Sequence, residues 1–238
     1  MVGRARFGYH RLMRPKRSKA SVAPPMPLIA RREDILEGVA RLRGLCADMA
    51  RAHALSGEPP LRRDPGGFQG LCHIVVGQMV SLASADAIWR RLVARLDPFE
   101  ADALLALTEA DLRAVGLSGP KIRTLRALAT AVADGTLDLE ALESHDDATA
   151  RAHLMSISGI GPWTADIYLL FCLGRRDAFA PGDLALQVAA AHLLALEARP
   201  SAKTLEAIAE RWRPWRGVAA RQLWAYYHII KGRSGQPL

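Results

Sequence analysis

Apolar side chains recur every three or four residues along nearly the whole chain from Arg32 onward, the period of helices that bury one face. Ile35, Val39, Leu42 and Leu45 form the first such stripe, behind a candidate cap at Asp34. Gly66-Gly67 breaks the pattern before a run holding Leu71, Ile74, Val75 and Ile88, which either bends or continues through Gly77 to Leu96. Short helices are predicted at 101–107 and 108–115, then a Leu- and Ala-rich helix over 121–133. Further helices are predicted at 147–156, 163–173, 184–196, 202–212 and 216–231. No two alternating apolar and polar runs are joined by hairpin-turn residues. The predicted class is all-α. No fixed-period repeat occurs beyond a weak echo between Gly116–Lys121 and Ser158–Trp163.

With 238 residues, half of them apolar, the chain can bury a sizeable core in one large domain or two small lobes. No apolar run approaches the roughly 18 residues of a membrane span, and Ile167–Leu173 reads as a buried helix face. The net charge of +8 is unevenly spread, because residues 1–20 hold seven basic side chains and no acid, leaving about +1 for the remainder. That basic stretch reads either as an arm along DNA phosphates or as a solvated, disordered extension. Residues 21–30, with three prolines, read as an extended linker, so residues 31–238 are expected to form the folded domain. Cys46, Cys72 and Cys172 are dispersed and odd in number, which argues against a zinc site or a four-cysteine cluster and fits a reducing compartment. The seven histidines show no metal-binding spacing.

The sharpest local feature is LMSISGIGPWTADIY, residues 154–168. A helix end runs into Gly159-Ile160-Gly161, and Pro162 opens a new helix. Two glycines one residue apart permit positive φ and close backbone approach. Pro162 suits a first helical position, and the N–H groups around Gly161, Trp163 and Thr164 would point outward as an anion site. Ile160 would tuck beneath and pin the two helices. The same pattern is compatible with a plain corner between helices. Asp183 follows Pro181-Gly182 and precedes an apolar helix, which read alone makes it an N-cap. Asp166, in a first helical turn, reads as structural.

This hairpin resembles that of the helix-hairpin-helix DNA glycosylase superfamily, specifically the DNA-3-methyladenine glycosylase II branch. PGDLALQ (181–187), RWRPWRGVAARQLW (211–224), GLSGPKIRTLRALA (116–129) and VVGQMVS (75–81) echo the same branch in the same order. The resemblance implies two helical lobes with a DNA cleft between them and the hairpin at about 147–173. It implies Asp183 as catalytic carboxylate, with Trp163, Trp215 and Tyr168 around the extruded base. Tyr168 lies one residue past the family's pocket tyrosine, where this chain has Ile167, and one residue turns a helix face by about 100°. Trp212, Trp224 and Trp89 read as core or elbow packing. Backbone N–H groups of Gly159, Ile160, Gly161 and Thr164 would hold phosphate. Met79 would occupy the wedge position, although it also suits a core helix face. Gln78 and Ser81 would contact DNA beside it, and Lys121 a second phosphate. The carbonyls of Met155, Ile157 and Gly159 would match a monovalent cation site, for Na+ or K+, with no other cofactor required.

The implied activity is monofunctional excision of alkylated purines from double-stranded DNA, in base excision repair. Bifunctional relatives carry a lysine where this chain has Trp163, so no strand cleavage is expected. A cationic alkylated base stacks well on tryptophan and leaves readily, so no second catalytic carboxylate is needed. A non-catalytic DNA-binding module and a same-fold glycosylase for other damaged bases remain the alternatives. Only about thirty residues precede the first predicted helix, so a compact form without the N-terminal β domain of long members is expected, as a monomer away from membranes. The expected location is the cytoplasm and nucleoid in a bacterium, or nucleus or organelle in a eukaryote.

Overall fold

The computed structural model describes residues 27–233, and the basic stretch of residues 1–20 lies outside them. Twelve α-helices are present among the described residues, with no β-strand. They are α1 (Arg32–Leu45), α2 (Ala47–Ser56), α3 (Gly67–Gly77), α4 (Leu82–Val93), α5 (Ala101–Ala106) and α6 (Glu109–Ala114). Then follow α7 (Gly119–Ala133), α8 (Asp147–Met155), α9 (Pro162–Ile167), α10 (Leu184–Leu193), α11 (Ala202–Ala209) and α12 (Arg216–Arg233). No helix is long and apolar enough to cross a membrane.

The helices sort into two groups. The first two, α1 and α2, pack with α10 and α12, so the chain's beginning and end build one lobe. The other lobe joins α3 to α4 and α7, and α7 to α5 and α6. Between them α8 and α9 form the hairpin, and α9 packs on α3. Continuous burial of Leu71, Leu125, Tyr168, Leu170, Leu186 and Trp212 runs through both groups.

Several local expectations change. Asp34 is not the cap of α1 but its third residue, where its carboxylate accepts from the N–H groups of Ala30 and Arg31, each at 2.8 Å. The helix breaks at Cys46, which leaves Leu45 exposed rather than in the core stripe. The proline-rich linker ends as part of the fold: Ile29 is fully buried and its N–H donates to the Gly174 carbonyl at 2.7 Å. The predicted helix over 163–173 changes pitch, since Tyr168–Cys172 forms a π-turn in which the Leu173 N–H reaches back five residues to Tyr168.

The hairpin itself needs one special glycine, not two. Gly159 has φ +87°, and a Cβ there would collide with Thr124 Oγ1 on α7 and lie 2.9 Å from Thr124 Cβ. Gly161 is the N-cap of α9 with φ −92° and ψ 177°, extended backbone with open space around it. Ile160 between them is 4% exposed, pinning the turn to the core. We therefore expect Gly159→Ala to cost at least about 2 kcal/mol in urea unfolding, since it combines a strained φ with a clash. Gly161→Ala should cost no more than about 1 kcal/mol, the ordinary difference between these residues at an N-cap.

Candidate active site

Asp183 caps α10, and its Oδ1 accepts from the Leu186 N–H at 3.1 Å. That is the ordinary duty of an N-cap aspartate. Two further donors are not ordinary. Trp163 Nε1, from the start of α9, donates to Oδ2 at 2.9 Å. Trp224 Nε1, from α12, donates to Oδ1 at 3.1 Å. The carboxylate is half-buried and held by three N–H groups from three helices. Its plane and reach are therefore set by donors from α9, α10 and α12 together.

Beside this carboxylate lies a cavity of about 760 Å³. Asp183 is not among its lining residues, but Trp224, which holds the carboxylate, and Ala185, two residues on, are; Val80 to Ala83 come from the start of α4, and Phe171 from the π-turn. Phe171 and Trp224 meet with ring centroids 5.4 Å apart. The guanidinium carbon of Arg62 stands 4.2 Å from the Phe171 centroid, and that of Arg221 stands 4.9 Å from it. Arg221 is 2% exposed and donates to the carbonyls of Leu61, Gly217 and Leu170. Burial pushes its pKa down to about 9.

The aromatic assignments change. Trp163, expected around the base, is not among the residues that line the cavity and instead reaches Asp183 as a donor. Trp215 does not line the cavity: it is 6% exposed, packs close to Gly38 and carries the Arg176 guanidinium 4.4 Å from its ring. Trp224, read from the sequence as packing, takes the place expected of Trp215. The signal for it was the face of α12, because Arg221, Trp224, Ala225 and His228 share one side at helical spacing and all line the cavity. Tyr168 is corrected too. Only 1% exposed, it accepts from the Gly67 N–H at 2.9 Å through its hydroxyl and holds the start of α3. Burial raises its phenol well above the usual range. Ile167 is also buried.

The segment from Gln78 to Ser81 breaks the run between α3 and α4. Met79 has φ +55° and is fully exposed, so it is not on a core face. Gln78 Nε2 donates to Thr164 Oγ1 at 2.8 Å, tying this turn to the hairpin. Thr164 is 2% exposed, which leaves its backbone, not its hydroxyl, for any outside partner. Ser81 caps α4 by accepting from the Ser84 N–H at 3.2 Å and also borders the cavity. Lys121 is not a phosphate ligand. It is 8% exposed, and its Nζ donates to the Val76 carbonyl at 2.7 Å near the end of α3, with burial lowering its pKa.

Asp166 stays structural. It is 4% exposed and accepts from Arg151 Nε at 2.8 Å, while burial raises its pKa to about 6. At the hairpin, the Ile157 carbonyl accepts from the Ile160 N–H at 3.0 Å. No hydrogen bond to the carbonyl of Met155 or Gly159 is present among the described residues. Those residues also contain no cluster of His, Cys, Asp and Glu able to hold a metal ion.

Residues 72–214 match the family model of the HhH-GPD superfamily base excision DNA repair proteins. The chain is 35% identical over 217 residues to the probable bifunctional transcriptional activator/DNA repair enzyme AlkA of Mycobacterium tuberculosis, covering 80% of this chain and 43% of that protein. It is 29% identical over 179 residues to DNA-3-methyladenine glycosylase 2 of Escherichia coli, covering 69% of this chain and 60% of the relative. The chain thus spans about half the length of these curated relatives. Among solved structures, Schizosaccharomyces pombe 3-methyladenine DNA glycosylase Mag1, in complex with abasic DNA, superposes with a TM-score of 0.74 at 26% identity, covering 79% of this chain and 95% of that one. A DNA-3-methyladenine glycosidase from Bacillus halodurans gives 0.70 at 30% identity, covering 84% and 91%. The chain belongs to the HhH-GPD superfamily of base excision DNA repair proteins.

Proposed function

We propose that this protein is a DNA N-glycosylase that flips an alkylated purine out of duplex DNA and hydrolyses its glycosidic bond. One observation carries this reading: a carboxylate fixed by two indole N–H groups, one of them from Trp224, a tryptophan that also lines an apolar cavity. Its volume of about 760 Å³ suits a small-molecule group such as a base. The named activities of the Escherichia coli, Schizosaccharomyces pombe and Bacillus halodurans relatives support it.

A purine extruded into the cavity lies against Trp224, since Arg62 and Arg221 cover the Phe171 ring. Met79, exposed at the tip of its turn, enters the gap left in the stack. The N–H groups of the Gly159–Gly161 turn and the start of α9 hold a backbone phosphate. The free carbonyls of Met155 and Gly159, together with Ile157, fit a monovalent cation such as Na+ or K+, which would add positive charge beside that phosphate. As the bond to C1′ breaks, its electron pair leaves with the base and positive charge develops on the sugar. Asp183 stabilises that charge and receives the proton of the water that adds to C1′. Two unit charges about 4 Å apart at an effective dielectric near 20 interact by roughly 4 kcal/mol, on the order of a thousandfold in rate. Trp163 stands where an amine would be required for Schiff-base chemistry, so the product is an intact abasic strand.

Asp183→Asn keeps a competent N-cap and should preserve folding and DNA binding. Single-turnover excision from methylated duplexes should fall about a thousandfold, and near-wild-type excision would remove Asp183 from the chemistry. Trp224→Phe should slow excision by about tenfold or more, because one charge-assisted hydrogen bond is lost. Trp215→Phe should leave that rate unchanged while lowering thermal stability, and equal rate losses in both would refute the assignment of the two rings. Borohydride treatment during turnover should trap no covalent protein–DNA adduct; a trapped adduct overturns the monofunctional reading.

A further inference from the structure

The turn that carries Met79 is closed by a residue from elsewhere in the fold. Met79 lies one position past the C-cap of α3 with φ +55°, a left-handed position that glycine usually fills. In the usual closure, N–H groups at and after that residue return to carbonyls of the helix's last turn. Here the Gln78 N–H returns to the Val75 carbonyl at 3.3 Å, but neither Met79 nor Val80 donates to a backbone carbonyl among the described residues. A strained residue keeps such a conformation only where its surroundings over-determine it.

The surroundings here are two braces. Lys121, in the first turn of α7, is buried, and its Nζ donates to the Val76 carbonyl at 2.7 Å. An ammonium suits that place, because the last carbonyls of a helix form the negative end of its dipole. Val76 is itself fully buried, so the carbonyl would otherwise face a desolvated interior. The second brace is Gln78 Nε2, which donates to Thr164 Oγ1 on α9. One turn beyond Lys121 on α7, Thr124 is the residue against which Gly159 packs. A single stretch of α7 thus meets both the hairpin turn and the end of α3. Past Met79 the chain runs directly into Val80 to Ala83, which line the cavity.

We propose that Lys121 is a positioning residue for base extrusion, which holds the Val76 carbonyl and thereby keeps the Met79 turn in register with the hairpin. The inference rests on the glycosylase reading and names the residue that couples the grip on a phosphate to the insertion of the wedge. Lys121 touches neither base nor phosphate. A wedge displaces a paired base only if the turn behind it does not yield, and a frayed end of α3 would let Met79 leave its left-handed conformation. The hold of Trp163 and Trp224 on Asp183 does not pass through Lys121. Loss of the ammonium therefore slows the removal of a base that must first be forced from its pair, and spares one that already lacks a partner.

The test is single-turnover excision by the full chain of one 7-methylguanine in a duplex, placed either opposite cytosine or opposite an abasic-site analogue. It is run on wild type, Lys121→Met, Lys121→Gln and Met79→Ala, with melting curves for each. Rates are taken per molecule able to bind an abasic duplex, so an unfolded fraction does not enter. Lys121→Met keeps the apolar stem and removes the donor. It should slow excision of the paired lesion about tenfold or more, while the unpaired lesion stays close to the wild-type rate. Lys121→Gln is one bond shorter, should show the same selective loss, and carries the test if the methionine variant does not fold. Met79→Ala should likewise lower the ratio of paired to unpaired rates. Equal losses on both duplexes would make Lys121 a folding residue only and overturn the proposal, as would no loss on the paired one. An unchanged ratio in Met79→Ala would overturn it while leaving the glycosylase reading intact. Wild type that binds an abasic duplex but excises neither lesion overturns that reading and this inference together.

Discussion

The interaction on which the site depends is the grip of two indole N–H groups on the Asp183 carboxylate. Each donor belongs to a different element: Trp163 to the helix leaving the hairpin, Trp224 to the last helix of the described chain. The aspartate itself starts a third helix, which it also caps. A buried acceptor left unpaired is costly, so the three helices cannot separate without leaving one of these groups unsatisfied. Fold and chemistry thus share one set of hydrogen bonds. The carboxylate is positioned not by a loop but by the seam where the hairpin, α10 and α12 meet, which is the rigidity a fixed electrostatic stabiliser needs.

The hairpin is secured from below by packing, and only then offers its backbone outward. Gly159 sits directly against Thr124 on α7, so absence of a side chain at that position lets the hairpin approach the α3–α7 lobe. A weaker version of the same turn precedes α7. There Gly116 has φ +100°, Leu117 is 4% exposed and Ser118 is the N-cap, matching Gly159, Ile160 and Gly161 in order. The shared recipe is a left-handed glycine, a buried apolar residue and an extended cap. The outcomes part at the first helical turns. Trp163 turns to the carboxylate, whereas Lys121 turns inward to the Val76 carbonyl. A local pattern repeats, and the surroundings decide what each copy does.

The all-α class, most of the helices after α4, the hairpin and the N-cap at Asp183 were legible because each depends on spacing along the chain, whereas α2 was not seen and the break between α3 and α4 was left open. Helix stripes and a Gly-x-Gly-Pro turn are local signals. What failed to show depended on distant neighbours. Lys121 reads as an exposed cation until α3 is seen to place a carbonyl over it. Trp215 and Trp224 are nine residues apart in similar surroundings, and only the packing of α12 decides which faces the cavity. The π-turn at Tyr168–Cys172 changes the helical register without a signature in periodicity. It thereby buries Tyr168 and carries Phe171 to the cavity, a residue that a regular helix gave no reason to choose. Arg62 was invisible for a related reason, since it lies in a connection with no apolar period, and only the fold sets it over the Phe171 ring.

These late-appearing residues are mechanically one unit. Arg221 donates to Leu61, next to Arg62, to Leu170, next to Phe171, and to Gly217 within its own helix. A guanidinium this deeply buried is tolerable only while its donors stay paired, and burial already lowers its pKa to about 9. The hydrogen bonds that satisfy it also fix the α2–α3 connection and the π-turn relative to α12, which carries Trp224. The cavity wall and the donor that orients the carboxylate are thus held in register by one buried cation. A shift of the α2–α3 connection would strand a charge in the core, and that cost holds the cavity in one shape.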